Sequence, residues 1–124
     1  MAEKSAPREE PSGPESVRLR ISNGLVHLMS ESYGRGPTRA KTFILDDEYV
    51  VCVMHDMFTT AEQTLIEAGK QDLVRQTRIA FQTALSDQFK GVVADVLGRR
   101  VLTYQSQVVF DPPTSFEFFI LETG

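Results

Sequence analysis

The feature that most constrains this chain is a helical pattern running from Phe58 to Gly98. Apolar residues recur along it at steps of mostly three and four, the spacing of one buried helical face. They are Leu65, Ile66, Leu73, Phe81, Ala84, Leu85, Val92, Val93, Val96 and Leu97. An unbroken helix of this length would extend for about 60 Å, whereas a domain of this size has a radius of gyration of about 14 Å. The segment must therefore be interrupted.

The start, interruption and end of this segment follow from local chemistry. Thr59 and Glu62 have the spacing of a capping box, in which each side chain bonds the other residue's backbone N–H, so a helix should begin after Thr59. Gly69, with the freest backbone, is the expected break between a short helix and a long one over 70–97. We expect Gly91 to bend the long helix and Gly98 to follow its last turn.

The N-terminal part of the chain divides into a tail and a helix. Residues 1–13 are rich in Pro, Ser, Gly and charge and predict a disordered tail. A helix should begin at Pro14, a residue suited to a first helical turn. Its buried stripe comprises Val17, Ile21, Leu25, Leu28 and Met29. His27 borders that stripe and is interpreted as a boundary residue rather than a ligand.

Two strand pairs flank the long helical segment, and each pair is joined by a turn. The expected strands are residues 38–45 and 49–54 before the segment, and 100–110 and 115–122 after it. The sequence therefore predicts one α+β domain over residues 14–124. Its order is α-β-β-α-α-β-β, with a four-stranded, mainly antiparallel sheet packed on helices that include one long helix.

Both faces of the central strands carry large apolar side chains. In the second strand Val50, Cys52 and Met54 alternate with Tyr49, Val51 and Val53. The last strand places Phe116, Phe118 and Ile120 on one face and Phe119 and Leu121, together with Glu117, on the other. Helices can cover only one side, so the second apolar face predicts a homodimer.

Charge and composition limit the classes of function. The net charge is −4 and the isoelectric point about 5.1, which argues against nucleic-acid binding. The single cysteine, Cys52, cannot form an internal disulfide and suits a reducing compartment. The sequence contains neither a signal-peptide pattern nor a long apolar run, so we expect a cytoplasmic protein without direct membrane insertion.

Metal, cofactor and nucleophile patterns are not indicated. His55 and Asp56 are adjacent, but the chain has only two histidines and lacks the usual ligand spacing of a zinc site. Cys52 lies between Val51 and Val53, which favours a buried structural thiol over a nucleophile. We therefore expect no metal, no cofactor and no catalytic residue of these kinds.

The loop after the first helix is the candidate ligand site. Gly34, Gly36 and Pro37 end the helix, and this is all that a sharp turn into a strand requires. The alternative is an anion site, because a glycine-rich bend exposes backbone N–H groups and positive side chains lie nearby. Its candidate residues are Gly34, Arg35, Gly36, Pro37, Arg39 and Lys41.

Arg78 is the charged residue of the long helix that we expect to be partly enclosed. Its neighbours Ile79 and Phe81 are apolar, and either Glu62 or Asp87 could pair with it. A carboxylate and a guanidinium can perform acid–base and oxyanion chemistry, but they also form ordinary ion pairs. Both interpretations remain open at this point.

Three segments together resemble a known family. Tyr33-Gly-Arg-Gly-Pro-Thr38, then Phe58-Thr-x-x-Glu62-x-x-Leu65, then Leu73-Val74-x-x-x-Arg78, resemble in order and spacing the MpsC-like family of small bacterial proteins. The resemblance spans about residues 14–122, and Phe58 stands where the family pattern has Leu. The matching positions are Gly34, Arg35, Gly36, Pro37, Thr59, Glu62 and Arg78, which the resemblance makes candidate sites without assigning them a role.

For some members of that family the resemblance implies a soluble component that accompanies membrane subunits of a membrane-potential-generating or inorganic-carbon (bicarbonate) uptake system. Other members look like free-standing proteins without an established role. The preferred hypothesis is thus a non-enzymatic accessory or regulatory protein that acts by protein contact, with a membrane transport subunit as a possible partner. One alternative is a small anion- or ligand-binding module. A third is an enzyme that uses Glu62 with Arg78 or Arg35.

Overall fold

The structure, a computed structural model, describes residues 14–123, so the predicted tail over 1–13 lies outside the described residues. Within this part of the chain there are four helices and four strands. The helices are α1 (Pro14–Tyr33), α2 (Thr60–Glu67), α3 (Gln71–Ala84) and α4 (Ser86–Leu97). The strands are β1 (Arg39–Leu45), β2 (Tyr49–His55), β3 (Val101–Phe110) and β4 (Pro113–Leu121). The predicted α+β class and the order of helices and strands are confirmed.

The four strands form one antiparallel sheet in the order β1-β2-β4-β3. The hairpin from β1 to β2 turns at Asp46 and Asp47, whose φ angles of 56° and 52° lie in the left-handed region that Asp tolerates. The two central strands come from the two predicted strand pairs, and Val51 lies opposite Phe118. The sheet therefore joins the β1–β2 hairpin to the β3–β4 hairpin side by side.

The helical segment is interrupted twice. The break at Gly69 is confirmed, because this residue has a φ of +79°. The second interruption lies at Leu85, with φ −102° and ψ 6°, and not at Gly91, which sits inside α4. The predicted bend at Gly91 is therefore corrected, because the structure places the interruption of this segment at Leu85.

The two helices on either side of Leu85 pack against different parts of the molecule. Helix α3 buries Val74 and Arg78, whereas α4 buries Phe89 and Val93. Helix α4 packs against both α1 and β3, while α3 contacts α2 and β3.

The main core lies between helices α1 and α4 and one face of the sheet, which we call the inner face. Its fully buried residues include Ile21, Leu25, Val50, Cys52, Met54, Val93 and Phe119. A second, smaller cluster consists of Met57, Phe58 and Val74, under helices α2 and α3. The two clusters together carry the apolar burial that holds the helices on the sheet.

The opposite side of the sheet, which we call the open face, is also apolar. Its strand residues include Phe43, Leu45, Tyr49, Val51, Val53, Phe116, Phe118 and Ile120. Phe43, Leu45 and Phe116 are 39%, 52% and 37% exposed. The core clusters formed by the described helices lie on the inner face. The predicted presence of large apolar groups on both faces is thus a feature of the fold.

Candidate functional site around Arg78

Arg78 is a buried cation at the junction of α3 with the chain before α2. Its Nε donates to Glu62 Oε2 at 2.7 Å, and its Nη2 donates to Glu62 Oε1 at 2.6 Å. Nη2 also donates to the backbone oxygen of Met57 at 3.1 Å. The side chains of Arg78 and Glu62 are only 5% and 12% exposed. Glu62, one of the two partners that the sequence allowed, therefore forms a two-pronged, largely buried ion pair with Arg78.

The capping box of α2 fixes the position of Glu62. Its backbone N–H donates to Thr59 Oγ1 at 3.1 Å, and its Oε1 accepts from the Thr59 N–H at 2.9 Å. Burial by itself would raise the pKa of Glu62, but the bonds from Arg78 and Thr59 outweigh it and lower the pKa below its ordinary value. Glu62 is consequently held as a carboxylate.

Two aromatic rings flank the Arg78 guanidinium. Its Cζ lies 4.1 Å from the centre of the Tyr33 ring and 5.4 Å from that of Phe58. A guanidinium over a ring face is attracted by the ring quadrupole, most strongly where water is excluded. Burial raises the pKa of the Tyr33 hydroxyl to about 12, although the charge of Arg78 opposes this.

The glycine loop after α1 is attached to the same place. Arg35 Nη1 donates to the backbone oxygen of Phe58 at 2.6 Å. Gly34 has a φ of +79°, and a Cβ on Gly36 would lie 2.2 Å from Ser30 Oγ, so both positions suit glycine. The three sequence segments that carried the family resemblance therefore meet in one cluster, defined here as Tyr33, Arg35, Phe58, Glu62 and Arg78 and called the Arg78 cluster.

Two of the candidate loop residues lie elsewhere. Arg39 and Lys41 belong to β1 and alternate with the inward residues Ala40 and Thr42, so they share the open side of the sheet with Phe43. The Lys41 ammonium lies 5.3 Å from the centre of the Phe43 ring. Anion binding by the loop stays a prediction. Of the candidate loop residues, Arg35 is the one that belongs to the Arg78 cluster.

A cavity of about 140 Å³ adjoins the Arg78 cluster. It lies between α3, the end of α1 and β3, and its lining includes Tyr33, Arg78 and Gln82. With its amide oriented to suit its surroundings, Gln82 donates to the backbone oxygen of Ser106 at 3.2 Å and accepts from its N–H at 3.3 Å. This pair connects α3 to the outer strand of the sheet.

A buried carboxyl group lies on the inner face of the sheet close to this cavity. Glu117 is 0% exposed. Its Oε1 accepts from the Tyr104 hydroxyl at 2.5 Å, and its Oε2 accepts from the Ser106 hydroxyl at 3.0 Å and from that of Ser115. Burial raises the pKa of Glu117, although these hydroxyls and the charge of Arg78 act in the opposite direction.

Cys52 lies opposite Glu117 in the sheet register. The thiol is fully buried, and burial raises its pKa to about 11. A protonated thiol in this position is a poor nucleophile. Cys52 thus packs in the core, next to the polar group that Glu117 forms with its hydroxyl donors.

Replacing Glu117 with glutamine should change how stability depends on pH. A carboxyl whose pKa is raised on folding contributes stability that is fully present below its unfolded pKa and is lost as the pH rises through its folded pKa. The melting temperature of the wild type should therefore fall relative to that of Glu117→Gln between pH 5 and pH 9. The exposed Glu67→Gln variant is the matched control and should follow the wild type. Parallel curves for wild type and Glu117→Gln would contradict the assignment.

Sequence reasoning did not identify Glu117 as a site residue, although a signal was present. Its spacing of two residues from Phe119 placed both side chains on one face of the strand, together with Leu121. A carboxylate among apolar residues that are buried requires partners. The partners could not be identified, because Tyr104 and Ser106 come from a neighbouring strand whose register the sequence does not define.

Comparison with known protein families matches residues 14–123 to the family described as "Na+-translocating membrane potential-generating system (MpsC)". No significant match is found among curated proteins or among solved structures. Within residues 14–123, no helix combines the length and the apolar character needed to cross a membrane.

Proposed function

The chain belongs to the MpsC family, and from this premise we propose that it is a non-enzymatic accessory or regulatory component of a Na+-translocating, membrane-potential-generating system. In this proposal it acts in the cytoplasm by contact with a membrane subunit. Uptake of inorganic carbon as bicarbonate is the process that the system would energise.

The state of the Arg78 cluster favours a structural role over catalysis. Arg78 Nε and Nη2 both bond to Glu62, and the Glu62 carboxylate also accepts from the Thr59 backbone. A carboxylate held by three donors, with its pKa lowered, is a weak base. This argues against the hypothesis of an enzyme that uses Glu62 with Arg78.

The observation that carries the proposal is the open face of the sheet. At a strand spacing of about 4.8 Å and a rise of about 3.4 Å per residue, four strands of about seven residues present roughly 450 Å² of flat area. Two copies would together bury roughly 900 Å² of flat area, which is below the roughly 1,200 Å² of the smallest stable interfaces, so this dimer would be a weak one. Two such faces can pack about 10 Å apart, as sheets do in sandwiches. We therefore propose a second copy of the chain as the occupant of this face.

A charge in the middle of the open face tests the dimer. Phe118 lies opposite Val51 at the centre of this face, so Phe118→Lys should convert a dimer into a monomer in sedimentation equilibrium, because two buried lysines would face each other across the seam. Leu19→Lys is the matched control, since Leu19 is 50% exposed on α1, and it should remain dimeric. A monomeric wild type at high concentration, or a dimeric Phe118→Lys, would contradict the homodimer.

The role in the membrane system is tested in cells of the source organism that lack the protein. We expect their Na+-dependent membrane potential, followed with a voltage-sensitive dye, to be reduced and to be restored by wild type and by Leu19→Lys. Phe118→Lys should not restore it. Uptake of labelled bicarbonate in the same strains tests the carbon-uptake part separately. An unchanged membrane potential in the deletion strain would contradict the proposal.

A further inference from the structure

The cavity beside the Arg78 cluster has the size of a small-molecule site. Its volume is about 140 Å³, and an apolar cavity of about 150 Å³ in another protein accommodates benzene. A compound of about six non-hydrogen atoms therefore fits. One part of the wall is apolar and includes Met29, Leu85 and Phe89, whereas Tyr33 and Arg78 contribute a polar part.

The polar part of the wall presents two donors, one on the buried side chain of Arg78 and one on the partly buried side chain of Tyr33. Arg78 is 5% exposed, and its bonds to Glu62 and Met57 use Nε and Nη2. Among residues 14–123, neither Arg78 Nη1 nor the Tyr33 hydroxyl forms a hydrogen bond, whereas the Arg78 bonds all involve Nε or Nη2. Buried donors in native proteins nearly always have a partner, so Arg78 Nη1 points to an acceptor that the described part of the chain does not supply.

The charges around the cavity favour an anion. Glu62 balances Arg78, and Glu117 is 0% exposed, a burial that disfavours its ionised form more than the bonds from its hydroxyl donors favour it. Arg75 also lines the cavity, while its partner Asp72 is 90% exposed and therefore well screened by water. The balance near the cavity is thus positive.

We propose that this cavity binds a small monocarboxylate of about six non-hydrogen atoms. The carboxylate accepts from Arg78 Nη1 and the Tyr33 hydroxyl, and the alkyl group packs against Met29, Leu85 and Phe89. The site lies within one protomer and is separate from the proposed sheet-to-sheet dimer, so the two proposals can fail independently.

The probe is sodium 2-methylpropanoate, titrated into the full-length protein and followed by amide chemical shifts in NMR. We expect saturable binding with a Kd on the order of 1 mM, typical of a ligand of this size. The isosteric, uncharged 2-methylpropanamide should bind at least about tenfold more weakly, because a hydrogen bond to a charged acceptor is worth about 1.5–3 kcal/mol. Equal affinity of acid and amide, or no saturation of the shifts up to about 100 mM, would overturn the proposal.

Tyr33→Phe removes one proposed ligand donor and keeps the ring that lies on Arg78. It should weaken 2-methylpropanoate binding by about tenfold without a large change in melting temperature. Tyr49→Phe is the matched control, because Tyr49 lies on the open face against Phe118, with ring centres 6.1 Å apart, and its binding should equal that of the wild type. Unchanged affinity in a folded Tyr33→Phe would overturn the assignment.

Discussion

Replacing Arg78 with alanine is expected to lower the free energy of unfolding by about 3–5 kcal/mol, the cost of leaving one partner of a buried ion pair alone. Glu62 would lose two short bonds, to Nε and Nη2, while it remains 12% exposed. The Met57 backbone oxygen would lose its bond as well. Urea denaturation monitored by circular dichroism measures the change.

Two further variants separate charge burial from general damage. In Glu62→Gln with Arg78→Met, no charge is left unpaired, so the loss should be smaller than for Arg78→Ala alone. Arg75→Ala removes an arginine from the same helix whose ion pair with Asp72 is exposed, and it should cost less than about 1 kcal/mol. A loss for Arg78→Ala no larger than that for Arg75→Ala would show that the Arg78 cluster does not stabilise the fold.

Replacing Phe119 with alanine should also cost about 3–5 kcal/mol, because it leaves a large cavity in the core. Phe119 is 0% exposed, and its ring stacks on that of Tyr104 with centres 5.0 Å apart. Phe119 lies on the inner face of the central strand β4. The close-packed groups around it have little freedom to move into the space that the ring would leave.

The neighbouring Phe118→Ala variant is the matched control, because it removes the same atoms from the other side of the same strand. At protein concentrations low enough to keep the chain monomeric, its cost should be clearly smaller than that of Phe119→Ala. Urea denaturation under identical conditions compares the two. Similar losses would mean that the inner and open faces do not differ as the structure indicates.

Features with short-range causes were predictable from the sequence. The capping box of Thr59 and Glu62 involves residues three apart, and the break at Gly69 depends on one residue's backbone freedom. The inward placement of Glu117 followed from strand alternation. Each of these features is determined by neighbours along the chain, which the sequence displays directly.

Features that depend on contacts between distant segments were harder to predict from the sequence. The break at Leu85 depends on the other elements against which α3 and α4 pack. No glycine or proline stands at or next to position 85 to mark the break in the sequence. The bond from Arg35 to Phe58 spans 23 residues. Motif spacing gave the order of these segments, while their meeting at Arg78 is a property of tertiary packing.

Helices α2 and α3 are attached to the rest of the molecule by few contacts. Helix α2 contains no buried residue, and α3 buries only Val74 and Arg78. Proteins open locally where little apolar surface is buried, so we expect these two helices to open as one unit while α1, α4 and the sheet stay folded. Because α3 carries Arg78 and one wall of the cavity, this opening would give a small molecule its way in and out, while Glu62 on α2 and Arg78 on α3 stay paired within the unit.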